Sequence, residues 1–377
     1  MEYKKLKGVA IINMGQSPDS SSYNESGEGV PFFQGKADFG DINPVVRMYT
    51  SSPKKLAEES DILMSVRAPV GDVNIADREC CIGRGLCAIR ADKCINNKFL
   101  YYYLITKKEE LNSMATGSTF KAINKSILES IDVPMLSLET QNKVADILDK
   151  AQELIDKRKA QIEALDELVK SRFIEMFGDP VSNPMEWNMD KLSNMGDLGR
   201  GVSKHRPRNA PELLGGIYPL IQTGDVANSD LYIKRYNATY SELGLKQSKM
   251  WEKGTLCITI AANIAKVGIL KFDACFPDSV VGFQSNDKTN NIFMYYWFNF
   301  FQKLLENQAP ESAQKNINLK ILGELKVVQP PIEFQNEFAD FVKQVYKLKS
   351  QMQDSLKELE DNFNSLMQKA FKGELFN

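Results

Sequence analysis

Four short runs in this 377-residue chain have the residue types of reactive sites. Gln329-Pro-Pro-Ile332 echoes the Asn/Asp-Pro-Pro-aromatic motif with which amino-methyltransferases hold a target amine and stack its base. Here Ile replaces the stacking ring, and no glycine-rich cofactor loop precedes the run. Proline at such a place pre-sets the backbone for a helix start, and the segment reads that way. Gly29 to Gly35-Lys36-Ala37 approaches a phosphate loop. It has five intervening residues where four are needed, and Ala where a hydroxyl must meet magnesium. Pro277-Asp278 with Glu324-Leu-Lys326 could be forced into a nuclease pattern, with carboxylates gathered around magnesium. The same places in the first half of the chain hold Gly83-Arg84 and Ser130-Ile-Asp132, so the set is not reproduced. The single histidine, His205, sits inside a basic run, a poor setting for a nucleophilic triad. Cys80, Cys81, Cys87, Cys94, Cys257 and Cys275 contain no C-x-x-C pair and read as buried reduced thiols, not zinc ligands. No catalysis is expected from the chain itself.

In the major groove Arg and Lys suit guanine, and Asn and Gln suit adenine; Lys, Arg, Ser, Thr and main-chain amides suit phosphate. If the partner is a nucleic acid, loop positions of these types are the candidate contacts. In the first half they are Gln34, Lys36, Arg67, Arg84, Ser118 and Lys121. In the second they are Lys204, Arg206, Arg208, Gln222, Thr223, Lys266, Ser312, Lys315 and Asn316. Several are matched: Gln34 and Lys36 correspond to Gln222 and Gly224, and Ser118 and Lys121 to Ser312 and Lys315. The net charge of −2 taken alone counts against a nucleic-acid partner. Residues 200–208, however, hold four fixed positive charges and no acid. An exposed Lys or Arg is ordinarily only solvated surface, so type alone makes none of these a contact.

The elements that must position these residues are written twice. At an offset of 194, Asn97-Lys-Phe-Leu-Tyr-Tyr-Tyr103 falls on Asn291-Ile-Phe-Met-Tyr-Tyr-Trp297, and Leu138-Glu-Thr-Gln-Asn142 on Ile332-Glu-Phe-Gln-Asn336. Upstream the offset is 188, pairing Pro31 and Gln34 with Pro219 and Gln222. So long a period marks a duplicated module, not a solenoid. In each copy, short β-like runs such as Ile62–Val66 and Leu256–Ile260 alternate with Gly, Pro and Asn turns. Phe99–Leu104 and Phe293–Phe298 are aromatic enough for strands but read as short buried helices.

A long helix follows each copy. Val144, Leu148, Ala151, Ile155, Ile162, Leu165 and Val169 keep heptad spacing, as do Phe338, Val342, Val345, Met352, Leu356, Leu359 and Phe363. Arg158 and Arg172 occupy seam positions and are expected to snorkel or pair with acids of the facing helix. The expected fold is α+β. Two globular mixed α/β domains, 1–138 and 179–332, are separated by two long antiparallel coiled-coil helices, 139–178 and 333–377, in a pseudo-two-fold internal repeat. The helices would act as a ruler holding two heads apart.

At this point the chain resembles the specificity subunits of type I restriction–modification enzymes. The residues that carry the resemblance are Met14-Gly-Gln-Ser-Pro18, Gly29-Val-Pro-Phe-Phe-Gln-Gly35, Gly117-Ser118 with Lys121 and Ile123, and the closing Gly373-Glu-Leu375. The second half adds Pro219-Leu-Ile-Gln-Thr-Gly224 and Val327-Val-Gln-Pro-Pro-Ile-Glu-Phe-Gln335. One departure is Val133-Pro-Met-Leu-Ser-Leu-Glu-Thr-Gln141, which lacks the double proline of the second copy. The resemblance implies a non-catalytic subunit whose two target-recognition domains each read half of a split asymmetric site in double-stranded DNA. It implies two partner methyltransferase subunits that bring S-adenosylmethionine and, where restriction occurs, two motor–nuclease subunits with ATP and magnesium. The chain itself would hold no cofactor and no metal. The competing reading is a coiled-coil scaffold whose heads bind proteins. The longest apolar stretch, Phe293 to Phe301, spans nine residues, far short of the roughly 20 that cross a bilayer. No signal-peptide core opens the chain, so a cytoplasmic protein without a membrane partner is expected.

Overall fold

The computed structural model describes residues 2–117, 121–261, 264–308 and 318–375. Two compact units divide the chain, one formed by Met1–Lys159 with Asp354–Asn377, the other by Ala160–Gln353.

In the first unit the principal strands are β1 (Ala10–Met14), β2 (Val30–Phe33), β3 (Ile62–Ser65), β4 (Val73–Ile75), β5 (Cys80–Ile82) and β6 (Leu86–Ala91). Four of them form an antiparallel sheet in the order β1-β6-β3-β4. Strands β2 and β5 pair in parallel within a second sheet, Phe32 against Cys81 and Phe33 against Ile82. Strand β3 is buried at all four positions, because each face of its sheet is covered. Ile62 and Met64 pack with Phe99 and Leu100, while Leu63 packs with Phe33 and Ile82. A strand buried on both faces reads as a continuous apolar run, which is why Ile62-Leu-Met lacks alternation.

The second unit repeats this plan with β7 (Gly196–Arg200), β8 (Leu214–Leu220), β9 (Leu256–Thr259), β10 (Val267–Leu270), β11 (Ala274–Cys275) and β12 (Val280–Ser285). Its larger sheet runs β7-β12-β9-β10, with Tyr232–Ile233 added at the edge. Strands β8 and β11 form the parallel contact through Leu220 and Cys275.

The aromatic runs are helical. Helix α1 (Asn97–Thr106) buries six consecutive residues from Phe99 to Leu104, and Asn96 caps it by accepting the Phe99 N–H at 2.9 Å. All-round burial removes the amphipathic period that distinguishes helix from strand in a sequence. The long helices are α2 (Leu138–Phe177) and, after α3 (Asn291–Gln308), α4 (Ile332–Lys372). Each begins one residue earlier than expected, at matched positions, despite the missing double proline before α2. Gly178 at φ +74° and Gly373 at φ +77° end them in the left-handed conformation that glycine adopts most readily.

In the first unit Leu148 and Ile155 of α2 share a core with Phe363 and Met367 of α4. In the second, Val169 and Phe173 share one with Phe338 and Val342. The start of α2 thus meets the end of α4, and the reverse, so the helices are antiparallel. Arg172 bonds Glu337 of the facing helix at 3.2 Å, and also Glu175 at 2.9 Å.

A buried glutamine ties each sheet module to its helix. Gln141 accepts the Asn96 N–H at 2.7 Å and donates to the Leu136 carbonyl at 2.9 Å. Gln335 accepts the Asn290 N–H at 3.0 Å and donates to the Pro330 carbonyl at 2.8 Å. Both side chains are fully buried. Gln329-Pro-Pro-Ile332 therefore serves as a helix lead-in: its Gln329 N–H goes to the Asn188 carbonyl, and its proline carbonyl receives this lock.

Candidate nucleic-acid interface

Five segments of the first unit converge on one rim. Gly15 donates its N–H to the Leu86 carbonyl at 3.0 Å, and Gln16 to Ile82 at 2.9 Å. Gly83 donates to Phe33, Val66 to Gly85, Ile123 to Val66 and Ala68 to Lys121, all within 3.0 Å. The Ser17 hydroxyl accepts the Arg84 N–H at 3.2 Å. Glycine permits the approach: a Cβ on Gly15 would lie 2.2 Å from the Gly83 oxygen, and one on Gly85 2.3 Å from the Gln34 oxygen. The rim thereby gathers Gln34, Lys36, Arg67, Arg84 and Lys121, candidates spread over almost ninety residues of sequence. All five are exposed.

Among the described residues the side chains of Arg67, Arg84 and Lys121 have no acceptor. Lys36 differs: its Nζ lies 2.9 Å from Asp72, which also receives Lys108 at 2.8 Å. Asp38 accepts the Gln34 and Gly35 amides at 2.7 and 3.3 Å and so shapes the turn that presents Gln34. The outcome is an exposed set of cations and an amide, the group types that meet phosphate and base edges.

The second unit builds the matching rim. Gly201 donates to Val280 at 2.8 Å, Val280 to Pro277 at 3.0 Å, and Ile260 to Ser279 at 3.0 Å. These repeat the bonds from Gly15 to Leu86, Leu86 to Gly83, and Val66 to Gly85. A Cβ on Gly201 would lie 2.2 Å from the Phe276 oxygen. Lys204, Arg206, Arg208, Gln222 and Thr223 belong to the segments at this rim. Gln247 holds the basic loop by accepting the Lys204 and His205 amides at 2.7 and 3.1 Å. Asp278, in the position of Arg84, binds Arg208 at 2.6 Å and stands 3.8 Å from Arg206.

Lys266 is set apart from these. It lines a cleft of about 370 Å³ with Asp230, Tyr296, Tyr346 and Lys349. Ser118, Ser312, Lys315 and Asn316 lie outside the described residues. Two parts of the rim were missed at the sequence level. Ser17 was noted only within Met14-Gly-Gln-Ser-Pro18, and Asp278 only as a nuclease carboxylate. The sequence carried no signal for either: at the upstream offset Gly15 falls on Ser203, and only the matched backbone bonds pair it with Gly201.

Several residues of the rejected reactive patterns have structural partners. Asp278 is engaged with arginine, and Glu324 with Lys191 at 2.7 Å. No cluster of three metal-ligating side chains occurs among the described residues. Gly29-Val-Pro-Phe-Phe is largely strand β2. Cys80, Cys81, Cys87, Cys257 and Cys275 are buried, and burial pushes the Cys80 and Cys87 thiols up to about 12. Among the described residues no helix is long and apolar enough to cross a membrane.

Comparison with known proteins places the chain in a family. The model of the "Type I restriction modification DNA specificity domain" matches residues 1–164 and 184–361. A Methanocaldococcus jannaschii chain that carries the name MjaX specificity subunit of a type I restriction enzyme is 52% identical over 156 residues. That match covers 40% of this chain and 37% of the relative, so it spans about a third of the relative's length. The EcoBI specificity subunit of Escherichia coli is 22% identical over 98% of this chain and 85% of its own length. The crystal structure of a type I restriction–modification S subunit from M. genitalium has the same fold, with a TM-score of 0.60 and 17% identity over 98% of this chain and 96% of that one. With the matched domain present twice and covering most of its length, the chain belongs to the family of type I restriction–modification specificity subunits, non-catalytic proteins of DNA-sequence recognition.

Proposed function

We propose that this chain reads a split, asymmetric site in double-stranded DNA, one half per unit, and brings partner methyltransferase subunits to it. Residues 1–138 and 179–332 act as target-recognition domains, and residues 139–178 and 333–377 as spacer helices. Two methyltransferase subunits supply S-adenosylmethionine and methylate adenine. Where restriction accompanies modification, two motor–nuclease subunits join with ATP and magnesium, and the assembly works in the cytoplasm. The observation that carries this reading is one rim, built twice on one scaffold with different side chains. Identical rims would favour a symmetric site; Arg84 against Asp278 favours two different half-sites.

The test is a base-modification map of DNA from cells expressing the chain with its methyltransferase partner. The expected result is chain-dependent adenine methylation within one gapped, asymmetric motif. Substituting Gln222→Ala with Lys204→Ala should relax only one half of that motif. An uninterrupted motif would overturn the bipartite reading, and a palindromic one the asymmetric reading. A chain with no preference for any duplex sequence, alone or with partners, would favour the protein-binding scaffold instead.

A further inference from the structure

We infer that Asp278 sets the selectivity of the second unit by holding Arg206 and Arg208 in internal ion pairs that duplex DNA must break. The inference rests on the DNA-reading proposal above and names a residue that tunes it. Asp278 lies on the turn after β11, where its carboxylate meets Arg208 at 2.6 and 2.9 Å through its two oxygens. Arg206 stands 3.8 Å away and is itself aimed by bonds to the Ser203 and His205 carbonyls at 2.6 and 2.8 Å. Arg200 donates to the Asp278 carbonyl at 2.9 Å, fixing the turn that carries the acid. The carboxylate is 33% exposed and the Arg206 and Arg208 side chains 56% and 45%, so the cluster is reachable from solvent.

The matched position in the first unit is Arg84, exposed and without a side-chain acceptor among the described residues. One rim therefore offers a free cation where the other offers an acid already holding one. A phosphate approaching Arg208 competes with Asp278 for the same Nη2 nitrogen, so the attraction that drives sequence-independent binding is weakened there. A guanine edge accepts the fork bidentately, and a cytosine amine can be received by the vacated carboxylate. Exchange of partners then becomes favourable only where base edges replace both halves of the ion pair. Asp278 acts as a positioning residue that suppresses random binding more than cognate binding.

The test uses the full-length chain assembled with its methyltransferase subunits. Binding to a duplex carrying its site and to a random duplex is measured over a range of salt for wild type, Asp278→Asn, Asp278→Glu and Asp278→Asn with Arg208→Ala. Asp278→Asn should bind random duplex about tenfold tighter, with a logarithmic salt slope steeper by about 0.9 per arginine released. The ratio of cognate to random affinity should fall about tenfold, while Asp278→Glu retains the wild-type slope. In the double variant the gain should shrink to what Arg206 alone supplies. An unchanged slope and ratio in Asp278→Asn, weaker random binding, or a gain undiminished by loss of Arg208 would each overturn the inference. Loss of fold is read separately from the melting curve, and Asp278→Glu keeps the test open in that event: a slope for Asp278→Glu that departs from wild type overturns the inference. If the wild-type assembly shows no salt-dependent duplex binding, the DNA-reading proposal falls first.

Discussion

The two units share a scaffold nearly bond for bond and differ in the charges hung on it. In the first, Arg90 grips the buried Asp61 through two bonds of 2.8 and 2.9 Å; at the matched positions of the second, Gln284 meets Thr255 at 3.4 Å. In the first, the Tyr102 hydroxyl bonds Asp149 at 2.7 Å; the second has Tyr296 and Lys343 at those places. By contrast the glutamine locks at 141 and 335 are the same residue bonded to the same matched backbone groups, with the Thr289 hydroxyl added in the second. The difference teaches where sequence is free to vary. Groups that satisfy buried backbone must be retained, because an unpaired buried amide is costly. Side-chain pairs can be exchanged for other pairs of similar size, provided both partners change together.

The sharpest way to break this comparison is Arg90→Met. Asp61 is 3% exposed, and stripping it of its cation should destabilise the first unit by about 3 kcal/mol, near the low end for buried pairs because Arg90 is itself partly exposed. Gln284→Ala should cost the second unit only about 1 kcal/mol. Denaturant unfolding of the two variants checks it; equal losses would show that the units are not built on different pairs.

Gln141→Leu and Gln335→Leu should instead behave alike. Each leaves a buried amide and a carbonyl without a partner, at about 1–3 kcal/mol per orphaned group. Hydrogen exchange at Asn96 and Asn290 should accelerate in the respective variant. A large effect in one unit and none in the other would sink the idea of a shared lock.

The smallest effect is expected at the first rim. Arg84→Ala and Lys121→Ala should each flatten the salt dependence of DNA binding by about 0.9, the opposite sign to Asp278→Asn. A loss confined to the cognate duplex, about 1–3 kcal/mol, would make either residue a base reader in place of a phosphate contact. No change at all would remove it from the interface.

Much of the architecture is legible in the sequence. The repeat and both long helices follow from self-similarity, heptad period and stop signals, and strands β3 and β9 from short apolar runs between turn residues; the aromatic helices, buried all round, carry no period that separates helix from strand. Even the glutamine locks lay inside the Glu-x-Gln lead-ins that the repeat singled out, though nothing in the sequence says what Gln141 bonds. The sorting of candidate residues was not legible. Gln34, Arg67, Arg84 and Lys121 are alike in sequence to Lys266, yet four face one rim and the fifth lines a cleft.

The sequence alone therefore determined the doubled plan, because hydrophobic period and self-similarity are properties of the chain itself. Only the tertiary structure decided which loops share a rim, which lysine stands elsewhere, and that Asp278 holds an arginine 70 positions away. Ion pairing and loop closure depend on distances that the backbone fixes only when the sheets and helices have packed.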